Sequence, residues 1–131
     1  MPLIKITQEQ VNRTLPIEAG WHLFKIEKFV QTPAKPGKNY KNELMFELVC
    51  IEEGSAKGRY AYARFYDNAL GMFITSGFLP GALDMPIAEM IEFDPETLVG
   101  KEIYGETTDS VYEGKIQKRT EKFATASKMP Y

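Results

Sequence analysis

Residues 40–51 read YKNELMFELVCI and residues 59–66 read RYAYARFY, and the fold follows from these two stretches. In the first, Leu44, Phe46, Leu48 and Cys50 alternate with Glu43, Met45, Glu47 and Val49. Successive side chains of a strand point to opposite faces, so one face is strongly apolar and the other mixed. In the second, Ala61, Ala63 and Phe65 alternate with Tyr60, Tyr62, Arg64 and Tyr66. The small or apolar set suits a tight interior, and the aromatic and basic set is predicted to face outward. Residues 52–58, EEGSAKG, are a turn between the two strands.

The remaining elements are placed outward from this pair. Upstream, GWHLFKIEKFV at 20–30 is rich in aromatic and β-branched residues and predicts the first strand. Residues 32–39, TPAKPGKN, are dense in turn formers and predict a loop. Residues 1–19 lack periodicity, contain Pro2 and Pro16, and read as an arm or a short edge element. Downstream of Tyr66 the period changes. Asp67 is placed to cap a helix from about Asn68 to Phe78, with Leu70, Phe73 and Ile74 on one side, ended by Gly77, Pro80 and Gly81. Residues 86–92, PIAEMIE, predict a second short helix. Asp94-Pro95-Glu96-Thr97-Leu98 reads as cap, proline in the first turn and an acid near the helix start, with Gly100 as terminator. Residues 101–111 and 115–123 are the last strands, joined at Glu113-Gly114, and 124–131 read as a loose tail.

Three strands, a helical insert and two strands make an all-β domain with a helical insert. The predicted architecture is a five-stranded OB-fold, a Greek-key barrel with its helix between strands 3 and 4. An open β-sandwich and an α+β roll share the same element order. With 131 residues, one domain over 1–131 is expected. Apolar residues at 44% and charged residues at 26% rule out disorder throughout. No stretch approaches the roughly 20 apolar residues of a membrane helix, and the start MPLIKITQEQ has no apolar signal core. A single cysteine, Cys50, fits a reducing, cytoplasmic setting.

The chemistry-bearing motifs are few. One Cys and one His give no metal-ligand spacing, so neither metal nor cofactor is expected. A nucleophilic pair would need Cys50 with His22. Cys50 closes the apolar run LMFELVC and reads as an inert buried thiol, and His22 as a strand-edge histidine. No nucleophile elbow, phosphate loop or dinucleotide fingerprint is present, so a non-catalytic protein is expected. A Mg²⁺-dependent nuclease would need a carboxylate cluster, whereas the acids here fall mostly on turns and helix starts.

Net charge is −2, which excludes a global basic footprint. The distribution is uneven. Residues 25–41 hold five lysines against Glu27, residues 57–66 hold Lys57, Arg59 and Arg64 with no acid, and residues 67–98 hold six acids and no base. Local potential decides where a polyanion binds. Sequence-tolerant binding of single strands needs cations along the phosphates and aromatic faces under the bases. The candidate set is the outward face of strand three (Tyr60, Tyr62, Arg64, Tyr66), the overhanging loop lysines Lys35, Lys38 and Lys41 with Tyr40 at the loop's base, Lys57 in the turn and Arg59 at the start of strand three, Trp21, and Lys118 with Arg119 on strand five. The plain alternatives are tyrosines packed on the core or a helix, a tryptophan core anchor, and lysines that only solubilise turns.

Three stretches carry a family likeness: LPIEAGW at 15–21, Gly54 through Phe65, and FDPETLVGK at 93–101 followed by YEGK at 112–115. In these the chain resembles a family of small bacteriophage proteins related to phage single-stranded-DNA-binding proteins. The resemblance implies an OB-fold and sequence-nonspecific binding of single-stranded DNA in phage replication or recombination. It also implies phage replication or recombination proteins as partners and the host cytoplasm as location, with homo-oligomerisation left open. Many proteins of this function end in an acidic tail that recruits partners, whereas no acid follows Glu121 here. The second reading, from a different class, is a non-catalytic structural or protein-interaction module of a phage, with the acidic stretch 84–96 as its surface.

Overall fold

Residues 2–127 are described by a computed structural model. They form a mostly β structure built on one five-stranded antiparallel sheet. The strands are β1 (Gly20–Pro33), β2 (Asn42–Cys50), β3 (Tyr60–Tyr66), β4 (Glu102–Tyr112) and β5 (Lys115–Thr125), in the spatial order β3-β2-β1-β4-β5. Three short α-helices accompany them: α1 (Gln8–Thr14), α2 (Met72–Thr75) and α3 (Phe78–Leu83), with a 3₁₀ turn at Pro95–Leu98. Among the described residues no helix is long and apolar enough to cross a membrane.

The alternation in β2 and β3 sets the register. Phe46 lies opposite Ala63 and Leu48 opposite Ala61, so large residues meet small ones on the inner face, while Leu44 lies opposite Phe65. Phe24, Ile26, Phe46, Leu48, Phe65 and Ile103 are all buried there. The ring of Phe46 touches Phe29 and Phe78, with centroids 4.9 and 4.8 Å apart, and Phe65 stacks on Phe73 at 4.0 Å. Offset and edge contacts at such distances add to the burial of the rings.

Two bulges bend the long strands. The β1–β2 register shifts between Ile26 and Lys28, and the β4–β5 register between Glu106 and Thr107. An extra residue in one strand increases local twist and curls the sheet. Gly105 lets Thr120 and Phe24 close over β4, because a Cβ there would lie 2.9 Å from the Thr120 methyl and 3.1 Å from the Phe24 ring. The β4–β5 turn, Glu113-Gly114, has positive φ at both residues, the two-residue hairpin geometry that matches strand twist.

The segment between β3 and β4 departs from expectation. No helix starts at Asn68, because the Asp67 carboxylate is engaged elsewhere. It accepts from the Lys41 and Asn42 backbone N–H groups, each at 2.9 Å. Helix α2 starts only at Met72, and Gly77, at φ +85, turns the chain into α3. A Cβ on Gly77 would lie 2.2 Å from the Phe123 carbonyl oxygen, and the Phe123 N–H donates to Ser76 O at 2.8 Å. Pro80 and Gly81 sit inside α3 rather than ending the helix; proline is tolerated in a first turn because that N–H has no helical partner. Residues 86–92 are not helical. Ile87 and Ile91 pack on the core from an irregular chain, and so short a segment has no cap to offset nucleation.

The ends differ too. The first nineteen residues include α1, held by a capping box in which Thr7 and Gln10 bond reciprocally. None of the residues of α1 is buried, and Ile17 anchors the arm to the core. Strand β5 runs on to Thr125, and Thr125 and Ser127 hydroxyls both donate to Asp84. Part of the expected loose tail is therefore tied down, and residues 128–131 lie outside the described residues.

Candidate nucleic-acid interface

Strands β3 and β5 are the two edges of the sheet, and a groove of about 670 Å³ lies between them. Residues of the arm, Arg13 to Ile17, border it, as do Ala69, Met72 and Ser76 after β3. Its floor carries Thr107 and Thr120, buried hydroxyls bonded to each other at 3.0 Å, together with Phe65 and Phe123.

The outer face of β3 forms one wall. Tyr60, Tyr62 and Tyr66 are half-buried and Arg64 is exposed, while Ala61, Ala63 and Phe65 between them are buried. The tyrosine rings are partly occupied. The Arg13 guanidinium lies 4.2 Å from the Tyr60 centroid, Arg64 lies 5.7 Å from that of Tyr62, and Tyr40 packs on Tyr66 at 4.5 Å. Burial pushes the phenols of Tyr60 and Tyr66 up from their ordinary value. Lys118 and Arg119 on β5 form the opposite wall.

Every cation bordering this groove has a carboxylate beside it. Arg13 bonds Glu47 at 2.7 Å and Glu9 at 3.2 Å, and the Glu47 hydrogen bond is the main cause of its raised pKa. Arg64 lies 3.6 Å from Glu43, Lys118 2.5 Å from Asp109, and Arg119 3.3 Å from Glu121. The register explains the Arg64 pair and places Glu47 where Arg13 of α1 reaches it. Glu47 faces Tyr62 and Glu43 faces Tyr66 on neighbouring strands, so the polar face of β2 carries acids next to the basic face of β3. Exposed ion pairs are worth about 0–1 kcal/mol, so Arg64 and Arg119 exchange a carboxylate for another anion at small cost. Glu47 is nearly buried and its pair with Arg13 fixes the arm in place.

The predicted site divides in two. Tyr60, Tyr62, Arg64, Tyr66, Lys118 and Arg119 border the groove. Tyr40 reaches it through Tyr66, and the loop it ends is pinned at the same point by Asp67 and by Asn68, whose amide donates to Asn39 O at 3.2 Å. Lys35, Lys38 and Lys41 are exposed on that loop. The others lie elsewhere. Arg59 donates to Pro16 O at 2.7 Å and Lys57 pairs with Glu53 in its own turn. Trp21 is half-buried opposite Glu106 on the β1–β4 side of the sheet. Sequence reading placed an arm at 1–19 but missed helix α1 and the part Arg13 plays at the groove. The available signal was the capping box Thr7-x-x-Gln10, which announces a helix with Arg13 in its last turn.

No family model matches the chain, and no curated protein matches it.

Proposed function

We infer that the protein is an OB-fold binder of single-stranded DNA, without catalytic chemistry of its own. The order β3-β2-β1-β4-β5, with β3 and β5 facing each other across a groove, is the order an OB barrel has when opened between those two strands. In that fold the face of strands 2 and 3 and the loops after strands 1 and 4 bind oligonucleotides. Here those parts are the tyrosine–arginine wall, the lysine loop at 34–41 and the hairpin tip at Glu113-Gly114.

The observation that carries the reading is the meeting of Tyr60, Tyr62, Tyr66 and Arg64 with Lys118 and Arg119 across one groove. Bases stack on the phenol faces, displacing the guanidinium now over Tyr62, while phosphates take Arg64, Arg119 and the loop lysines. The likeness to phage single-stranded-DNA-binding proteins supports a role in phage replication or recombination. Titration of a labelled oligo(dT) at low and high salt tests the inference. Binding at low salt that weakens as salt rises is expected, because bound phosphates release counterions. No binding at low salt, or binding insensitive to salt, overturns it.

A protein-interaction module of a phage is the second reading. The carboxylate partner of each groove cation favours it, as do the exposed Val111 and Ile116, which face each other near the hairpin tip. A protein that copurifies in fixed ratio, in a preparation free of nucleic-acid absorbance, is its expected outcome.

A further inference from the structure

Three metal-ligating side chains of different type, one from β1 and two from the end of β2 and the residue pair after it, meet at one end of the sheet, away from the groove. Phe24 lies opposite Cys50, and the Ile51 N–H donates to Leu23 O at 3.0 Å. Continued by two residues, that register sets His22 opposite Glu52. Side chains alternate along a strand, so His22, Cys50 and Glu52 share the inward face. His22 Nδ1 is 3.0 Å from Glu52 Oε2, and a ring nitrogen of His22, the Cys50 sulfur and a Glu52 carboxylate oxygen all lie within 4.8 Å of one another. Cys50 is 1% exposed, and the His22 and Glu52 side chains are 12% and 34% exposed. The cluster thus opens to solvent mainly on the Glu52 side.

The bonding of His22 asks for a cation at this point. Its Nε2 is 2.7 Å from the Glu18 carbonyl oxygen, which can only accept, so Nε2 carries a hydrogen. The neutral ring then turns the lone pair of Nδ1 toward a carboxylate oxygen that also only accepts. Two acceptors at 3.0 Å require a positive centre between them, either a proton or a metal ion. A histidine whose other N–H is fixed by a backbone carbonyl is the usual arrangement behind a metal ligand. The sulfur beside them adds a soft donor that a simple His–Glu ion pair has no use for.

We propose that His22, Cys50 and Glu52 form a three-ligand site for a zinc-class transition-metal ion that clamps the start of β1 to the end of β2. An imidazole, thiolate and carboxylate set suits Zn²⁺ and disfavours Mg²⁺ and Ca²⁺, which take all-oxygen shells. With three protein ligands, the fourth position falls to water on the open side. Loading is a proton exchange. The ion displaces the thiol proton of Cys50 and, where His22 is protonated, the Nδ1 proton; both leave to solvent, and no oxidant or reductant is involved. Because Glu18 belongs to the arm and holds His22 through Nε2, the bound ion also stiffens the arm that borders the groove.

The test is titration of metal-free full-length protein with Co²⁺, a spectroscopic stand-in for Zn²⁺. A sulfur-to-cobalt charge-transfer band that saturates at one equivalent and is bleached by Zn²⁺ is expected, with a higher Tm in the loaded protein. Cys50→Ala is expected to lose the band. Glu52→Gln, at a partly exposed position that leaves the core intact, is expected to weaken Co²⁺ binding tenfold or more at unchanged far-ultraviolet circular dichroism. Absence of the band at saturating Co²⁺ overturns the site. Binding that both variants leave unchanged also overturns it, and marks an adventitious ion only.

Discussion

Tyr62→Ala separates a binding wall from a packing wall. Tyr62 is half-buried on the outer face of β3, and its neighbour Phe65 is buried on the inner face, stacked on Phe73 at 4.0 Å. If bases stack on Tyr62, its removal costs about 1–3 kcal/mol of binding. That is roughly fivefold to 150-fold in Kd for oligo(dT), at tenfold per 1.4 kcal/mol. The cost to folding is small, because the ring already meets water: about 1 kcal/mol, or a Tm lower by about 3–5 °C in a domain of this size. Phe65→Ala is the reference, since emptying a buried phenyl site costs about 3–5 kcal/mol and lowers Tm by roughly 10–20 °C. Fluorescence titration with oligo(dT) at several salt concentrations, beside thermal melts, gives both quantities. The salt slope adds a count, because three phosphate contacts give a logarithmic slope of about −2 on single strands. Tyr62→Ala that binds as tightly as the parent, or that loses binding only in step with folding, refutes the reasoning.

Glu43→Gln frees Arg64 from its partner at 3.6 Å, and oligo(dT) is expected to bind a few-fold more tightly at low salt; unchanged or weaker binding in the same titration removes Arg64 from the interface. The Asp67 carboxyl lies below its ordinary value, first through the Lys41 N–H and then through the bonds from Asn42, so the stability it contributes is complete above the unfolded-state pKa and fades as pH falls through the lower folded-state value. Asp67→Asn is accordingly expected to abolish that acid-limb dependence and to speed amide exchange at Lys41 and Asn42, read by NMR. Gly77→Ala places a Cβ against the Phe123 carbonyl at a left-handed φ, and is expected to lower Tm far more than Gly114→Ala, whose Cβ meets only solvent; equal melting of the two counts against the α3–β5 contact.

The strands were legible because their alternation is a local property. Leu44 to Cys50 and Tyr60 to Tyr66 each carry a period of two, and peptide geometry turns that period into two faces whatever the chain does elsewhere. The turn at Glu113-Gly114 was legible for the same reason, since its φ values belong to the residues themselves. The same locality made the tyrosine–arginine wall readable. Helix α1 carried a readable capping box too, yet where it docks is not local: Arg13 finds Glu47, thirty-four residues away. Asp67 reads locally as a helix cap, but the N–H groups of Lys41 and Asn42, at the junction of the loop and β2 some twenty-five residues earlier, bind its carboxylate first, and the helix starts late. That β5 faces β3, that each groove cation has an acid at its side, and that His22 meets Cys50 and Glu52 were all decided by the tertiary structure. Cross-strand neighbours are fixed by which edges meet and in what register. Those depend on the packing of the whole core around Phe46, and no single stretch of the chain contains that information.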